Sequence, residues 1–160
     1  MTQGFGFDLA AACSGFVYGL STADAFIRAG QARNILVIGS EVYSRIVDWS
    51  DRGTCVLFGD GAGAVVLSGS DAPGDKGLLS THLHSDGTAG DLLYVDGAVG
   101  RRDKSGYLKM SGRDVFRHAV AKLSSSVDEA LKAEGLDYSD VNWLVPHQPT
   151  SALLKVWRKN

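Results

Sequence analysis

Residues 7–12 (Phe-Asp-Leu-Ala-Ala-Ala) form a short, mostly apolar stretch that reads as a buried strand. From residue 14 to 29 the apolar side chains Phe16, Val17, Leu20, Ala23, Phe26 and Ile27 recur at helical spacing, and Gly30 follows as a C-terminal cap. Asn34 to Ser40 is a nearly unbroken apolar run, the pattern of a strand covered on both faces. Strand, helix and strand in so short a span make a βαβ unit, which predicts a parallel sheet.

Residues 41–54 are polar and irregular. In 57–68, Phe58-Gly59-Asp60-Gly61-Ala62-Gly63-Ala64 precedes Val65-Val66-Leu67, which predicts a glycine turn entering a strand. A further strand is expected at 77–84. Residues 85–106, rich in glycine and aspartate, predict a long loop or a hairpin. The longest helical pattern is 112–134, with Val115, Phe116, Ala119, Val120, Leu123, Val127, Ala130 and Leu131 on one broad stripe and Gly135 at its end. Asn142 to His147 predicts a strand that delivers His147 at its C-terminal end, where open α/β sheets build their sites. The fold class is α/β, without internal repeats or low-complexity segments.

Composition narrows the class. The 160 residues suffice for a modest core, and 44% hydrophobic with 21% charged residues describes a soluble globular chain. A net charge of −2 without a basic cluster argues against nucleic acid as a partner. No apolar run is long enough to span a membrane. The two cysteines, Cys13 and Cys55, are too few for a disulfide scaffold, and no secretory leader is evident. Both are expected to be thiols of a cytoplasmic protein.

Cys13 carries the chemistry. The apolar stretch ends at it and a helical pattern begins at once, which sets the sulfur at a helix N-terminus. The unpaired N–H groups and the dipole there favour thiolate over thiol. Ala12, Ser14 and Gly15 are small enough for a tight turn with room for a substrate. This suits a nucleophile, although a buried structural cysteine would also fit the run. His147 follows Pro146 at a strand end and suits a hydrogen-bond donor or general base beside Cys13, or a structural role. The other candidates are weaker. Gly59 to Gly63 lacks the spacing of a nucleotide fingerprint, and a strand follows where a helix is required. His82 and His84 alternate on one predicted strand without a third metal ligand, so an ordinary polar face is expected. His118 lies just off the apolar stripe, a solvated or partly buried position.

Four motifs then occur in order: Ala10-Ala11-Ala12-Cys13-Ser14-Gly15, Asp51-Arg52-Gly53-Thr54, Phe58-Gly59-Asp60-Gly61-Ala62-Gly63-Ala64 and Trp143-Leu144-Val145-Pro146-His147-Gln148. Together they resemble the β-ketoacyl-acyl-carrier-protein synthase III family, from about Phe7 to Gln148. The resemblance implies a thiolase-like fold, here a partial one within a five-layer α/β/α/β/α sandwich that is homodimeric at full length. It implies the late part of the first thiolase-like half at 1–72 and the start of the second at 73–148. It also implies that Cys13 accepts acetyl from acetyl-CoA and that malonyl-acyl-carrier protein decarboxylates and condenses with it. CoA and carrier-protein thioesters are then substrates, with no separate cofactor and no metal. His147 would stabilise the developing enolate, and the Cys13 N–H would help form an oxyanion hole. Arg52 matches a position that packs on the CoA adenine. Met110, Gly112 and Phe116 match the pantetheine tunnel and acyl pocket, and Arg117 matches a basic position suited to the acidic carrier protein. For both arginines, plain solvent exposure is the competing explanation.

The family pattern is not complete in this sequence. The opening strands and helices of the first half, with a tryptophan and an arginine that help hold CoA, are not in it. Neither are the later Gly-Asn-Thr-Ser, whose asparagine is the third catalytic residue, and a glycine-rich oxyanion loop. Residues 149–160 depart from the family's Ala-Asn-x-Arg-Ile, with Ala152 where the arginine would stand. With suitably chosen codons, one base inserted after Gln148 restores Ala-Asn-Ile-Arg-Ile, so a frameshifted tail without selected function is expected. The competing functions are a related polyketide-type acyltransferase and a non-catalytic remnant prone to aggregate through uncovered apolar faces.

Overall fold

Both long helices form where their periodicity predicts. α1 spans Gly15–Arg28 and α2 spans Gly112–Glu134. Each ends at a glycine in the left-handed region, Gly30 at φ +70° and Gly135 at φ +64°. After α1, the Gly30 N–H donates to the Ile27 carbonyl and Gln31 N–H to Phe26. After α2, Gly135 N–H donates to Lys132 and Leu136 N–H to Leu131. These paired bonds satisfy carbonyls that the helix leaves open, and a Cβ at either glycine would be strained.

The computed structural model describes residues 4–71, 77–97 and 106–147. The expected tail at 149–160, Gln148 and the middle of the 85–106 segment lie outside the described residues. The strands are β1 (Asn34–Val42), β2 (Asp60–Ser68), β3 (Leu93–Val95) and β4 (Leu108–Met110), paired as β1–β2 and β3–β4. Two compact units arise: the described parts of Met1–Gly39 with Ala62–Leu83, and of Ser40–Gly61 with His84–Asn160.

In the first unit α1 packs on the start of β1. A Cβ on Gly19 would sit 2.9 Å from Val37 Cγ1, and one on Gly39 would sit 3.5 Å from Phe16 Cδ2. Ala23 and Val37 are buried there. Burial alternates along the strand, with Ile35, Val37 and Gly39 inward and Leu36 and Ile38 outward, 58% and 62% exposed. The run expected to be covered on both faces is therefore covered on one.

Three predicted strands are corrected. Residues 7–11 form no ladder; Phe5 and Phe7 instead pack on Phe26 of α1, ring centroids 5.6 and 6.2 Å away. Residues 77–84 and 142–147 are likewise not strands. Thr81 is held by its hydroxyl, which donates to Ser21 Oγ at 2.9 Å. An apolar run becomes a strand only when a neighbour supplies the ladder, and none does so for these runs among the described residues. The parallel sheet is corrected with them. The Gly69 N–H donates to the Arg33 carbonyl at one end of β1–β2 and Ser44 binds Asp60 at the other, so this pair runs antiparallel.

In the second unit the glycine- and aspartate-rich segment makes the hairpin alternative. β3 and β4 pair antiparallel with Leu93 opposite Met110 and Val95 opposite Leu108. Leu108 and Val47 are buried, and the Leu108 N–H donates to the Ile46 carbonyl at 2.8 Å. His84 meets Glu129 of α2 at 2.6 Å and Lys122 meets Asp86 at 3.4 Å, which tie the 84–88 segment to that helix.

Asp60 anchors the start of β2. Its carboxylate accepts from the Ser44 N–H at 2.8 Å and the Ser44 hydroxyl at 2.7 Å. The hydroxyl bond first, then the backbone bond, holds its carboxyl below the usual range. A lowered folded-state pKa contributes stability above the unfolded carboxylate's pKa, and that contribution is lost as pH falls through the folded value. Asp60→Asn should therefore lower the melting temperature at pH 7, and the gap from wild type should close below about pH 4. A gap independent of pH would refute this.

Candidate functional site

Cys13 sits in a single 3-10 turn, Ala12–Ser14, that runs directly into α1. The Ser14 N–H closes the turn on the Ala11 carbonyl at 3.0 Å. Ala12 has φ +45°, and it is the one non-glycine residue with positive φ among the described residues. The chain thus bends sharply just before the sulfur-bearing residue, as in nucleophile elbows. Cys13 is exposed and forms no disulfide, so the structural reading of a buried cysteine does not hold. Cys55 is half-buried.

In the second unit, Arg52 is exposed on a run of turns built by its neighbour. The Asp51 carboxylate accepts from the Gly53 N–H at 2.9 Å and from the Thr54 hydroxyl at 2.8 Å, while its carbonyl accepts from Thr54 and Cys55 N–H groups. Thr54 is 2% exposed, the most buried polar residue described. Sequence reasoning used Asp51 only as part of a motif. The signal for its role was an aspartate two residues before a glycine, the spacing of a side-chain-closed turn. Asp51→Ala should cost about 2 kcal/mol, because it removes charge-assisted bonds and leaves a buried hydroxyl poorly satisfied. Urea titration measures this, and a loss below about 0.5 kcal/mol would refute it.

Met110, Gly112, Phe116 and Arg117 are brought together by the junction of β4 with α2. Met110 ends the strand, and its Cε lies 3.5 Å from where a Gly112 Cβ would stand. Gly112 and Phe116 are one turn apart on α2 and share a face. Phe116 is at the edge of exposure. Arg117 is exposed and paired with Asp114 at 2.9 Å, while Asp114 also accepts from the Ser111 hydroxyl at 2.9 Å. Arg117 is thus a solvent-exposed arginine with Asp114 as its ion-pair partner. His147 is exposed, in an irregular segment where Trp143 and Val145 are 87% and 88% exposed. It belongs to the second unit and Cys13 to the first.

The remaining histidines have local roles. His82 Nε2 lies 3.1 Å from the Ser80 hydroxyl, His84 pairs with Glu129, and His118 is exposed on α2. Because 77–84 is no strand, the shared strand face expected for His82 and His84 is absent.

Residues 7–87, which contain the elbow, the Asp51 turn and β2, match the family described as 3-oxoacyl-(acyl-carrier-protein) synthase III. The chain belongs to the 3-oxoacyl-(acyl-carrier-protein) synthase III family. It is similar to the β-ketoacyl-(acyl-carrier-protein) synthase III of Acidiphilium cryptum, 61% identical over 159 residues that cover 99% of this chain and 50% of that one. Among solved structures it resembles the synthase III of Pseudomonas aeruginosa, with TM-score 0.86 and 44% identity over 96% of this chain and 47% of that one. It also resembles a priming β-ketosynthase of a polyketide pathway, with TM-score 0.82 and 36% identity over 97% and 47%. These likenesses bear out a partial thiolase-like α/β fold. The chain spans about half the length of the curated synthase III relatives it matches.

Proposed function

We propose that this chain carries the acyl-accepting cysteine of a synthase III that condenses acetyl-CoA with malonyl-acyl-carrier protein to begin fatty acid synthesis in the cytoplasm. The observation that carries the reading is the exposed Cys13 at a sharp turn into α1, inside the stretch that matches the family. The Cys13 thiolate attacks the acetyl thioester carbonyl, and collapse of the tetrahedral intermediate releases the CoA thiolate. Malonyl thioester then loses carbon dioxide, and the resulting enolate attacks the acetyl carbonyl. The Cys13 thiolate leaves, and acetoacetyl-acyl-carrier protein is formed. His147 donates to the malonyl thioester oxygen as negative charge develops there, and the Cys13 N–H supports the tetrahedral oxyanion. Arg52 packs on the CoA adenine, Met110, Gly112 and Phe116 line the pantetheine and acyl path, and Arg117 meets the acidic carrier protein. The full-length enzyme is a homodimer.

Incubation with acetyl-CoA followed by peptide mass spectrometry tests the first half-reaction. Acetyl is expected on Cys13 and not on Cys55. A second reading, a non-catalytic remnant, is favoured by the many exposed apolar side chains, Leu36, Ile38 and Val66 among them. Absence of acetyl on Cys13 would select it. A polyketide-type starter reaction, which the resemblance to the priming β-ketosynthase supports, would appear as acylation by longer acyl-CoA in preference to acetyl-CoA. The frameshifted tail is part of the proposal, and sequencing the coding DNA past Asn160 tests it.

A further inference from the structure

We infer that Trp49 is a specificity residue for the nucleotide end of CoA, offering its indole beside Arg52 as a second flat surface for the adenine ring; this rests on the proposed reaction with CoA. Residues 48–54 form a structural repeat of three. The Asp48 carboxylate accepts from the Ser50 N–H at 3.0 Å and the Ser50 hydroxyl at 2.6 Å, and the Asp48 carbonyl accepts from the Asp51 N–H at 3.0 Å. Three residues on, the Asp51 carboxylate accepts from the Gly53 N–H at 2.9 Å, and the Asp51 carbonyl accepts from the Thr54 N–H at 3.2 Å. Trp49 and Arg52 therefore hold the same position in two successive turns. In turns this tight, side chains three residues apart lie one above the other. Buried Val47 and Thr54 anchor the two ends of the segment. Trp49 is nevertheless 68% exposed, whereas tryptophan is highly buried on average. A rigid indole on a backbone held by turns loses little conformational freedom when a ligand stacks on it. Charge here is balanced, Asp48 and Asp51 against Arg52 and Lys109. The Ser50 hydroxyl and N–H, with Lys109 after them, hold the Asp48 carboxyl below its usual range. A surface of balanced charge has no net pull on phosphate, and it fits an uncharged π ring, which stacks on both indole and guanidinium planes.

The test titrates the chain with coenzyme A itself, which carries no acetyl group, by calorimetry and by tryptophan fluorescence. Trp49→Ala should weaken coenzyme A binding by about tenfold or more, while Trp49→Phe, which keeps an aromatic face, should stay within about threefold of wild type. The indole is exposed and the turn bonds use none of its atoms, so both variants should keep the wild-type melting temperature. Fluorescence locates the ring. Coenzyme A should quench wild type and Trp143→Phe alike, and Trp49→Phe should lose the quench although Trp143 and Trp157 remain. Pantetheine, which lacks the nucleotide, should quench none of them. Unchanged binding in Trp49→Ala would overturn the inference, as would a quench that survives in Trp49→Phe, equal quenching by pantetheine, or a wild-type chain that binds no coenzyme A. The proposed function fails separately. A chain that binds coenzyme A through Trp49 but accepts no acetyl on Cys13 refutes that function and leaves the adenine subsite standing. Acetylated Cys13 with undiminished coenzyme A binding in Trp49→Ala does the reverse.

Discussion

Cys13→Ala is expected to abolish acetyl transfer from acetyl-CoA, by at least about 1,000-fold, while changing stability by less than about 0.5 kcal/mol. The two effects separate because of where the residue sits. Cys13 is exposed, so loss of its sulfur opens no cavity in the core. Its neighbours supply the turn: the Ser14–Ala11 hydrogen bond and the Ala12 conformation involve no sulfur atom. The side chain proposed to attack is therefore removed from an intact scaffold. Cys13→Ser should keep the fold equally well and restore little transfer, because a hydroxyl is far less acidic than a thiol and is a poor nucleophile at neutral pH. The measurement is intact-mass kinetics with circular dichroism on the same samples. Acetyl transfer that survives in Cys13→Ala would move the acceptor to another residue and remove the basis of the proposed function.

Gly106→Ala should be among the most destabilising single substitutions, costing about 3 kcal/mol or more. A Cβ at residue 106 would lie against the Gly97 nitrogen, 2.5 Å from the Gly97 Cα and 2.9 Å from Val95 Cγ1. Two of these atoms are backbone, so no rotamer change relieves the clash, and the strands must part. The consequences run down the hairpin. The Asp96 N–H bond to the Tyr107 carbonyl and the Tyr107 N–H bond to the Asp96 carboxylate flank the crossing. Next come buried Leu108, then Met110, then Ser111, whose N–H is bonded to the Leu92 carbonyl at the start of α2. Urea unfolding and amide exchange at Leu108 measure the effect. A loss below about 0.5 kcal/mol with Leu108 still protected would show that the hairpin tolerates the extra carbon.

The helices were legible because a helix closes its hydrogen bonds within itself. The spacing Phe16, Leu20, Ala23, Ile27 and the glycines at 30 and 135 are local signals, and α1 and α2 follow them closely. Strands were legible only where a partner exists. Asn34–Val42 and Asp60–Ser68 pair, so their apolar runs became β1 and β2. The runs at 7–12, 77–84 and 142–147 carry comparable patterns and form no strand. Nothing inside those runs tells them apart, because ladder partners are distant in sequence. The same blindness affected cover: Leu36 and Ile38 look as core-like as Val37, yet only Val37 lies under α1.

For the site, the sequence by itself determined the chemical types and their order: a cysteine at the start of a helix, an Asp-Arg-Gly-Thr turn, and a histidine after proline. It also determined the family, since four short motifs in order are hard to produce otherwise. Only the tertiary structure decided that Ala12 is strained, that Asp51 builds the turn bearing Arg52, that Asp114 pairs with Arg117, and that Met110 lies over Gly112. The physical reason is range. Residue type and periodicity are carried by neighbours along the chain. Strain, burial and the pairing of groups depend on which distant atoms share the same space, and folding alone brings those atoms together.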